Sequence, residues 1–344
     1  MNFGLSESQQ MLKTNARKFF AAECPMHEVR RLMETPKVYD SGLWAKMAEQ
    51  GYTGIIFPEE YGGLGLGKVE LALLMEEMGR ALVPGPYLST MAAAAVIDAC
   101  GSAEQKRQFL APICRGEARA ALALIDGPKS RRKLFVADAA IANFIVATFD
   151  GGVQVMDSGF ETEDMRGMDL TRKIYAVTFA NPGTALEYPG GLERALDLAT
   201  MALSAELVGG MQRVLDMAVE YAKTRKQFGK PIGQFQAVQH PLADSYLETE
   251  SARSAAYYAA WTLDDNAPDA STAVSIAKMY ASDAARNAGN RAIQVQGGMG
   301  FTWENDAHLY FRRFKASETA LGDAAYHRER IARLVIDHAA IAAA

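Results

Sequence analysis

The chain lacks what would tie it to an oxidising compartment, a membrane or nucleic acid. Its three cysteines, Cys24, Cys100 and Cys114, lie far apart with no Cys-x-x-Cys pair. An odd, scattered set makes no disulfide framework and fits a reducing cytoplasm. No run of about 18 apolar residues is present, so no membrane-spanning helix is expected. The opening segment, Met1 to Gln10, has no basic-then-apolar signal pattern, and a cytoplasmic location is the expectation. Lys and Arg number 36 against 41 Asp and Glu, a net charge of −5. Nucleic-acid binding needs a basic face, and none is evident. A di-metal carboxylate bundle needs two Glu-x-x-His motifs. Only Glu304 and His308 come near, at the wrong spacing, so no metal is expected. There is no internal repeat and no low-complexity linker.

What is present is an ordinary globular mix, 49% hydrophobic and 22% charged, over 344 residues. That length suits two or three structural units and buries enough surface to need no staples. Helical periodicity runs through 3–23, where Ser6 offers a cap, then 40–50, 68–82, 87–100 and 103–115. A glycine-dense loop, 51–67, interrupts it. Short β-rich runs follow at 120–125, 134–137, 143–149, 153–156 and 173–179. The helical period then returns at 192–224, 234–264, 268–297, 305–320 and 324–343, with short connections that favour an antiparallel bundle. The fold class is therefore mainly α with a small β domain. The expected division is an N-terminal helical domain over 1–118, a reduced middle β domain over 119–189 and a four-helix bundle over 190–344. The alanine-rich end, Ala339 to Ala344, reads as a fraying helix terminus.

Two segments carry chemistry. The first, Arg225-Lys-Gln-Phe-Gly-Lys-Pro-Ile-Gly-Gln-Phe-Gln, joins two long helices; Arg225 stands where its charge complements a helix C-terminus. Alone it reads as a capped helix hairpin. The second, Gln294-Val-Gln-Gly-Gly-Met-Gly-Phe, ends a helix in a Gly-Gly turn where bare backbone could meet a phosphate; alone it reads as a glycine C-cap. Together, at this separation, they resemble the RxxFG and QxxGGxGF motifs of the acyl-CoA dehydrogenase family. Leu242-Ala-Asp244, Pro58-Glu-Glu-Tyr-Gly-Gly-Leu-Gly, Glu76-Glu-Met-Gly-Arg-Ala and Gly101-Ser-Ala-Glu-Gln-Lys106 match as well. The resemblance covers nearly the whole chain outside 126–190.

The resemblance implies an acyl-CoA dehydrogenase-like fold and FAD bound across a subunit interface. The adenine and pyrophosphate end reaches into the neighbouring subunit, onto positions that here are Arg225, Gln227, Phe228, Gln294, Gly297 and Gly298. It implies an oxidoreductase that dehydrogenates an acyl-CoA thioester at its α and β carbons. A carboxylate removes the α proton while a hydride passes to the flavin, and an electron-transfer flavoprotein is the implied electron acceptor.

The sequence departs from the family at that carboxylate. One base position lies 26 residues before Arg225, where Ala199 stands, followed by Thr200. The other lies 20 residues after Phe301, where Leu321 stands, followed by Gly322. Neither is acidic. The stretch Leu124-Ile-Asp-Gly-Pro-Lys-Ser-Arg-Arg-Lys133 also jumps across a region that family members use against the flavin ring. The base and ring pocket are lost while the half-site for a neighbour's FAD is kept. The expectation is a base-lacking subunit of a heterodimer or heterotetramer that completes the FAD site of a sister chain. The alternatives are a self-sufficient homo-oligomer with a relocated base, for which Glu206 on the helix of Ala199 is the candidate, and a non-enzymatic scaffold. In a bundle a buried Glu206 would more often pair with an arginine. Asp323 reads as a helix cap and His240 as a structural hydrogen bonder. Tyr310, Arg312 and Arg313 read as a face packing near a subunit interface, and Arg328 and Arg330 as a solvated face. The 16 methionines are core filler that would suit a bulky apolar acyl group.

Overall fold

The structure, a computed structural model, describes residues 4–127, 131–149 and 152–337. The alanine-rich end expected to fray lies outside them. The helices of the first third are α1 (Glu7–Glu23), α2 (Met26–Met33), α3 (Ser41–Glu49), α4 (Lys68–Arg80), α5 (Tyr87–Cys100) and the short α6 (Ala103–Gln105) and α7 (Ala111–Cys114). Strands follow: β1 (Ala120–Ala123), β2 (Ile125–Asp126), β3 (Arg132–Ala137), β4 (Phe144–Phe149), β5 (Gly152–Met156), β6 (Phe160–Met165), β7 (Ile174–Phe179) and β8 (Thr184–Ala185). Then come α8 (Leu192–Thr224), a two-stranded hairpin of β9 (Lys226–Gln227) and β10 (Lys230–Pro231), α9 (Gln236–Asp264), α10 (Ala270–Gln296), α11 (Ala307–Thr319) and α12 (Ala324–Ala332). The chain is mainly helical with a small sheet domain, as its periodicities predict.

Local chemistry explains the boundaries that the sequence predicts well. Ser6 and Gln9 form a reciprocal capping box at the start of α1, and Asp40 caps α3 by accepting from Leu43 N at 2.9 Å. Among the elements that escape the sequence pattern are α2, β6 and the two-residue strands β8, β9 and β10. Helix α2 carries Met26, Val29, Leu32 and Met33 at helical spacing, with Val29 and Leu32 buried, but it spans only eight residues, shorter than the window over which a helical period stands out. Strand β6 reads Phe-Glu-Thr-Glu-Asp-Met and is exposed along most of its length, because it is an edge strand paired only with β7. Without a buried face it carries no alternation to detect.

By contact the residues fall into two compact units. One comprises His27–Leu71 and Pro84–Ala199. It contains two four-stranded sheets, ordered β1-β4-β5-β8 and β2-β3-β7-β6, with β1 parallel to β4 and the other pairs antiparallel. Side chains of both sheets, among them Val136, Ile145, Met156, Val177 and Phe179, share one core. Gln105 grips the edge strand β8 by donating to Ala185 O at 2.7 Å.

The other unit takes α1, the segment Ala72–Val83 with most of α4, and the chain from Thr200 onward. Within it α4 and α8 touch backbone to backbone. A Cβ on Gly79 would lie 1.9 Å from Glu206 O, and one on Gly209 1.7 Å from Glu76 O. Two buried carboxylates of α4 then tie α1 and α9 to this crossing. Glu77 takes Arg17 in a two-pronged pair at 2.7 and 2.8 Å. Glu76 accepts from Lys13 at 2.9 Å, from Arg253 at 3.2 Å and from the Tyr257 hydroxyl.

Burial alone would push the Glu76 carboxyl up, but Lys13, Arg253 and Tyr257 outweigh it and hold Glu76 below the usual carboxylate range. A folded pKa below the unfolded one contributes stability above the unfolded value of about 4.3. That stability is lost as pH falls through the lowered folded value. Glu76→Gln is therefore expected to lower stability at neutral pH and to flatten its acid limb. Urea midpoints measured from about pH 6 down to pH 3 check this. An acid limb as steep as that of the parent protein would refute the assignment.

Candidate functional site

The Arg225 segment folds as a tight hairpin. β9 and β10 pair through Gln227 and Lys230, and Ile232 N donates to Arg225 O at 2.8 Å. The tip residues Phe228 and Gly229 both have positive φ, +53° and +78°. That geometry suits a two-residue hairpin turn, whose first position normally takes Asn, Asp or Gly. A phenylalanine there is strained. It is also 91% exposed, held only edge-on by Phe235 with ring centroids 6.0 Å apart. Strain and exposure together at one bulky aromatic point to a contact made outside this chain. Between Glu220 and Asp244 the sequence has Lys223, Arg225, Lys226 and Lys230 and no carboxylate, so the hairpin is a positive point.

The second segment closes α10. Gly297 has φ +59° and ψ −138°, a conformation open essentially to glycine alone. Among the described residues nothing lies within 4 Å of a Cβ built on Gly297, Gly298 or Gly229, so open space faces the backbone at each. Gln296, next to the turn, is buried and accepts from Asn305.

Antiparallel packing of α9 and α10 brings the two segments to one end of the bundle. Arg291 of α10 binds Glu248 of α9 at 2.7 Å, and Asn287 reaches the same carboxylate at 3.4 Å. Continued toward the C-terminus of α10, that register sets Gln294 level with the first turns of α9, at the end of the bundle where the hairpin leads into α9. Arg225, Gln227 and Gln294 are exposed, and none has a side-chain partner among the described residues. The set thus combines an uncommitted guanidinium, two uncommitted amides, an exposed aromatic and bare glycine backbone. This donor set fits a bound pyrophosphate with an attached ring. Arginine's planar fork matches phosphate oxygens, and glycine lets backbone approach them.

The positions expected to carry the base differ in kind. Ala199 is 1% exposed on α8. Leu321 is half-buried in the turn between α11 and α12, at φ +57°. Glu206 lies two turns after Ala199 on α8, and its Oε1 accepts from Arg313 of α11 at 3.0 Å. The two side chains are 2% and 3% exposed, and Arg313 also donates to Val83 O at 3.2 Å. A carboxylate held this way is committed to a structural pair.

Several single-residue expectations need correction. Tyr310 and Arg313 do not form a surface face. Both are buried within the bundle, the Tyr310 hydroxyl donating to Arg80 O at 2.6 Å. His240 is exposed and makes no side-chain hydrogen bond among the described residues, so it is not the structural bonder expected. Arg330 is not purely solvated, since it donates to Ser275 Oγ at 3.0 Å. Asp323 does cap α12, accepting from Tyr326 N at 2.8 Å. One residue was missed altogether: Lys278, fully buried on α10. Its signal was legible, because it occupies a core position in the period of Val274, Ala281 and Ala285.

Comparison with known proteins accords with this geometry. Family models for the N-terminal and C-terminal domains of acyl-CoA dehydrogenase match residues 6–117 and 192–336. Acyl-CoA dehydrogenase IpdE2 of Mycolicibacterium smegmatis is 32% identical over 331 residues, spanning 96% of this chain and 98% of that protein. A chain from a variant of the Tcur3481-Tcur3483 steroid ACAD is 31% identical with a TM-score of 0.87, over 97% of this chain and 99% of its own. A chain of the ChsE4-ChsE5 complex from Mycobacterium tuberculosis is 26% identical with a TM-score of 0.88, over 97% and 98%.

Proposed function

Since the chain belongs to the acyl-CoA dehydrogenase family, whose members are FAD-dependent oxidoreductases acting on CH–CH bonds, we propose that it is the base-lacking subunit of a heteromeric member. Its task is to complete the FAD site of a sister chain that supplies the carboxylate. The observation that carries this reading is a contrast within one molecule. Arg225, Gln227, Phe228, Gln294, Gly297 and Gly298 stand exposed at one end of the bundle, while the expected base positions hold Ala199 and Leu321. When bound, FAD supplies the hydride acceptor of an α,β-dehydrogenation. Arg225 would pair with pyrophosphate oxygens, Gly297 and Gly298 would admit them to the backbone, and Phe228 would lie against a ring of the cofactor. Relatives named as steroid ACAD and as a two-component complex support a polycyclic acyl-CoA as the substrate class and a sister chain as the partner. An electron-transfer flavoprotein is the acceptor we propose. The commitment of Glu206 to Arg313 weighs against a relocated base, and the uncommitted half-site weighs against a relic scaffold.

The visible absorption spectrum, with flavin counted per chain, tests this. Little flavin on the chain alone, rising to about one FAD per pair with the sister subunit, is the expected result. One FAD per isolated chain, bleached by acyl-CoA, would instead establish a self-sufficient enzyme. No flavin in any pairing would leave the scaffold. Within the assembled complex, Arg225→Ala should weaken FAD retention roughly 10- to 100-fold, the scale of a lost charge-assisted contact. Gly298→Ala should lower flavin content as well. Its folding stability should stay within about 0.5 kcal/mol of the parent, because the added methyl meets nothing in the folded chain. Flavin content unchanged in both variants would sink the half-site.

A further inference from the structure

Lys278 is 0% exposed, yet its Nζ has three partners. It reaches Ser282 Oγ at 2.9 Å, the carbonyl of Glu318 at 3.1 Å and the carbonyl of Gly322 at 2.9 Å. The first carbonyl lies in the last turn of α11 and the second in the passage from α11 to α12. That passage is strained, with Leu321 at φ +57° and Gly322 at φ +97°. From the α12 side, His327 Nε2 lies 3.0 Å from Leu321 O. Side chains of two helices therefore grip three carbonyls in and just before a left-handed turn. The ionisable groups facing Lys278 are Glu318 of α11 and Asp323 at the cap of α12. The Glu318 carboxylate is engaged by Arg286 and Lys315, and Asp323 Oδ1 by Tyr326 N. Burial, only partly opposed by those two carboxylates, pushes the ammonium down to about 8.

We propose that Lys278 and Ser282 form a clamp that positions the turn 319–323 in either charge state of the lysine, because the serine hydroxyl can reverse its hydrogen bond. An ammonium has three N–H groups, and here each has an acceptor. A neutral amine has two N–H groups and a lone pair. After its third proton passes to solvent, it keeps both carbonyls, and Ser282 turns from acceptor to donor and fills the lone pair. A carbonyl in the place of Ser282 has no proton to give and would suit only the charged form. Lys278 is thus a positioning residue for the turn, and Ser282 sets how readily it titrates.

Two measurements test the clamp. One is amide hydrogen exchange over residues 316–327 from about pH 6 to 10, corrected for the intrinsic rate; the other is an NMR titration of the Lys278 side chain. In the parent protein, protection of this segment should stay level through pH 8. Lys278→Met should reduce it roughly tenfold or more at every pH while α9 keeps its own. Ser282→Ala should keep the protection but titrate Lys278 at lower pH, because the charged form then has an N–H without an acceptor. Ser282→Thr should restore the parent titration. A tenfold loss of parent protection above about pH 8 would mean that the clamp needs the charge. A Lys278 titration unmoved by Ser282→Ala would remove the serine from it. Either result overturns the proposal, and neither depends on Lys278→Met folding.

Discussion

Adding one methyl group at Gly209 is expected to destabilise the protein by about 3 kcal/mol or more, seen as a fall in melting temperature of roughly 4 °C or more. Glycine to alanine in a helix interior normally stabilises by up to about 1 kcal/mol. A loss would therefore have to come from packing alone. The new Cβ would sit 1.7 Å from the carbonyl oxygen of Glu76 and 2.8 Å from Arg80 N, and neither backbone atom can swing aside as a side chain does. Separating α4 from α8 to make room would also disturb Glu76 and Glu77, whose carboxylates are buried and tied to α1 and α9. Gly210 is the control. Its Cβ would meet the buried Phe314 ring at 2.6 Å, so Gly210→Ala should also destabilise, but by less than Gly209→Ala, because a ring can tilt where backbone cannot. Equal urea midpoints for Gly209→Ala and the parent would show that the two helices can move apart freely.

Arg313→Met is expected to cost about 3–5 kcal/mol, because it leaves the Glu206 carboxylate buried without its counter-ion. Pairing it with Glu206→Leu should recover most of that loss, since a buried ion pair is often no more stable than apolar groups of similar volume. The coupling would appear in a double-mutant cycle of unfolding free energies. The same side chain decides between two accounts of the site. Were Glu206 the base of a self-sufficient enzyme, Glu206→Gln would abolish flavin bleaching and leave the melting curve in place. Held to Arg313 at 3.0 Å with both side chains almost wholly buried, Glu206 should show the reverse. A folding defect without a catalytic one is the expected result, read in the assembled complex from its melting curve and flavin reduction.

Much of this molecule is legible in its sequence, and the legible parts share a cause. Helices α5 and α8 occupy the residues their periodicity predicts, 87–100 and 192–224, because a long apolar stripe and its flanking turn residues are local properties. The hairpin at Arg225 and the Gly-Gly turn at Gly297 are likewise written in short runs of turn-forming residues. The absence of a carboxylate at Ala199 and Leu321 needs no coordinates at all. What the tertiary structure decided are the pairings between residues far apart in the chain. Glu206 and Arg313 are 107 positions apart, and Lys278 and Gly322 are 44 apart. In the sequence Glu206 could be a base and Arg313 part of a face near a subunit interface, and the period that places Lys278 in a core names none of its partners. Only packing against a distant helix removes water from each and so fixes its partner and its role, because the strength of an ionic or polar contact depends on the solvent that folding excludes.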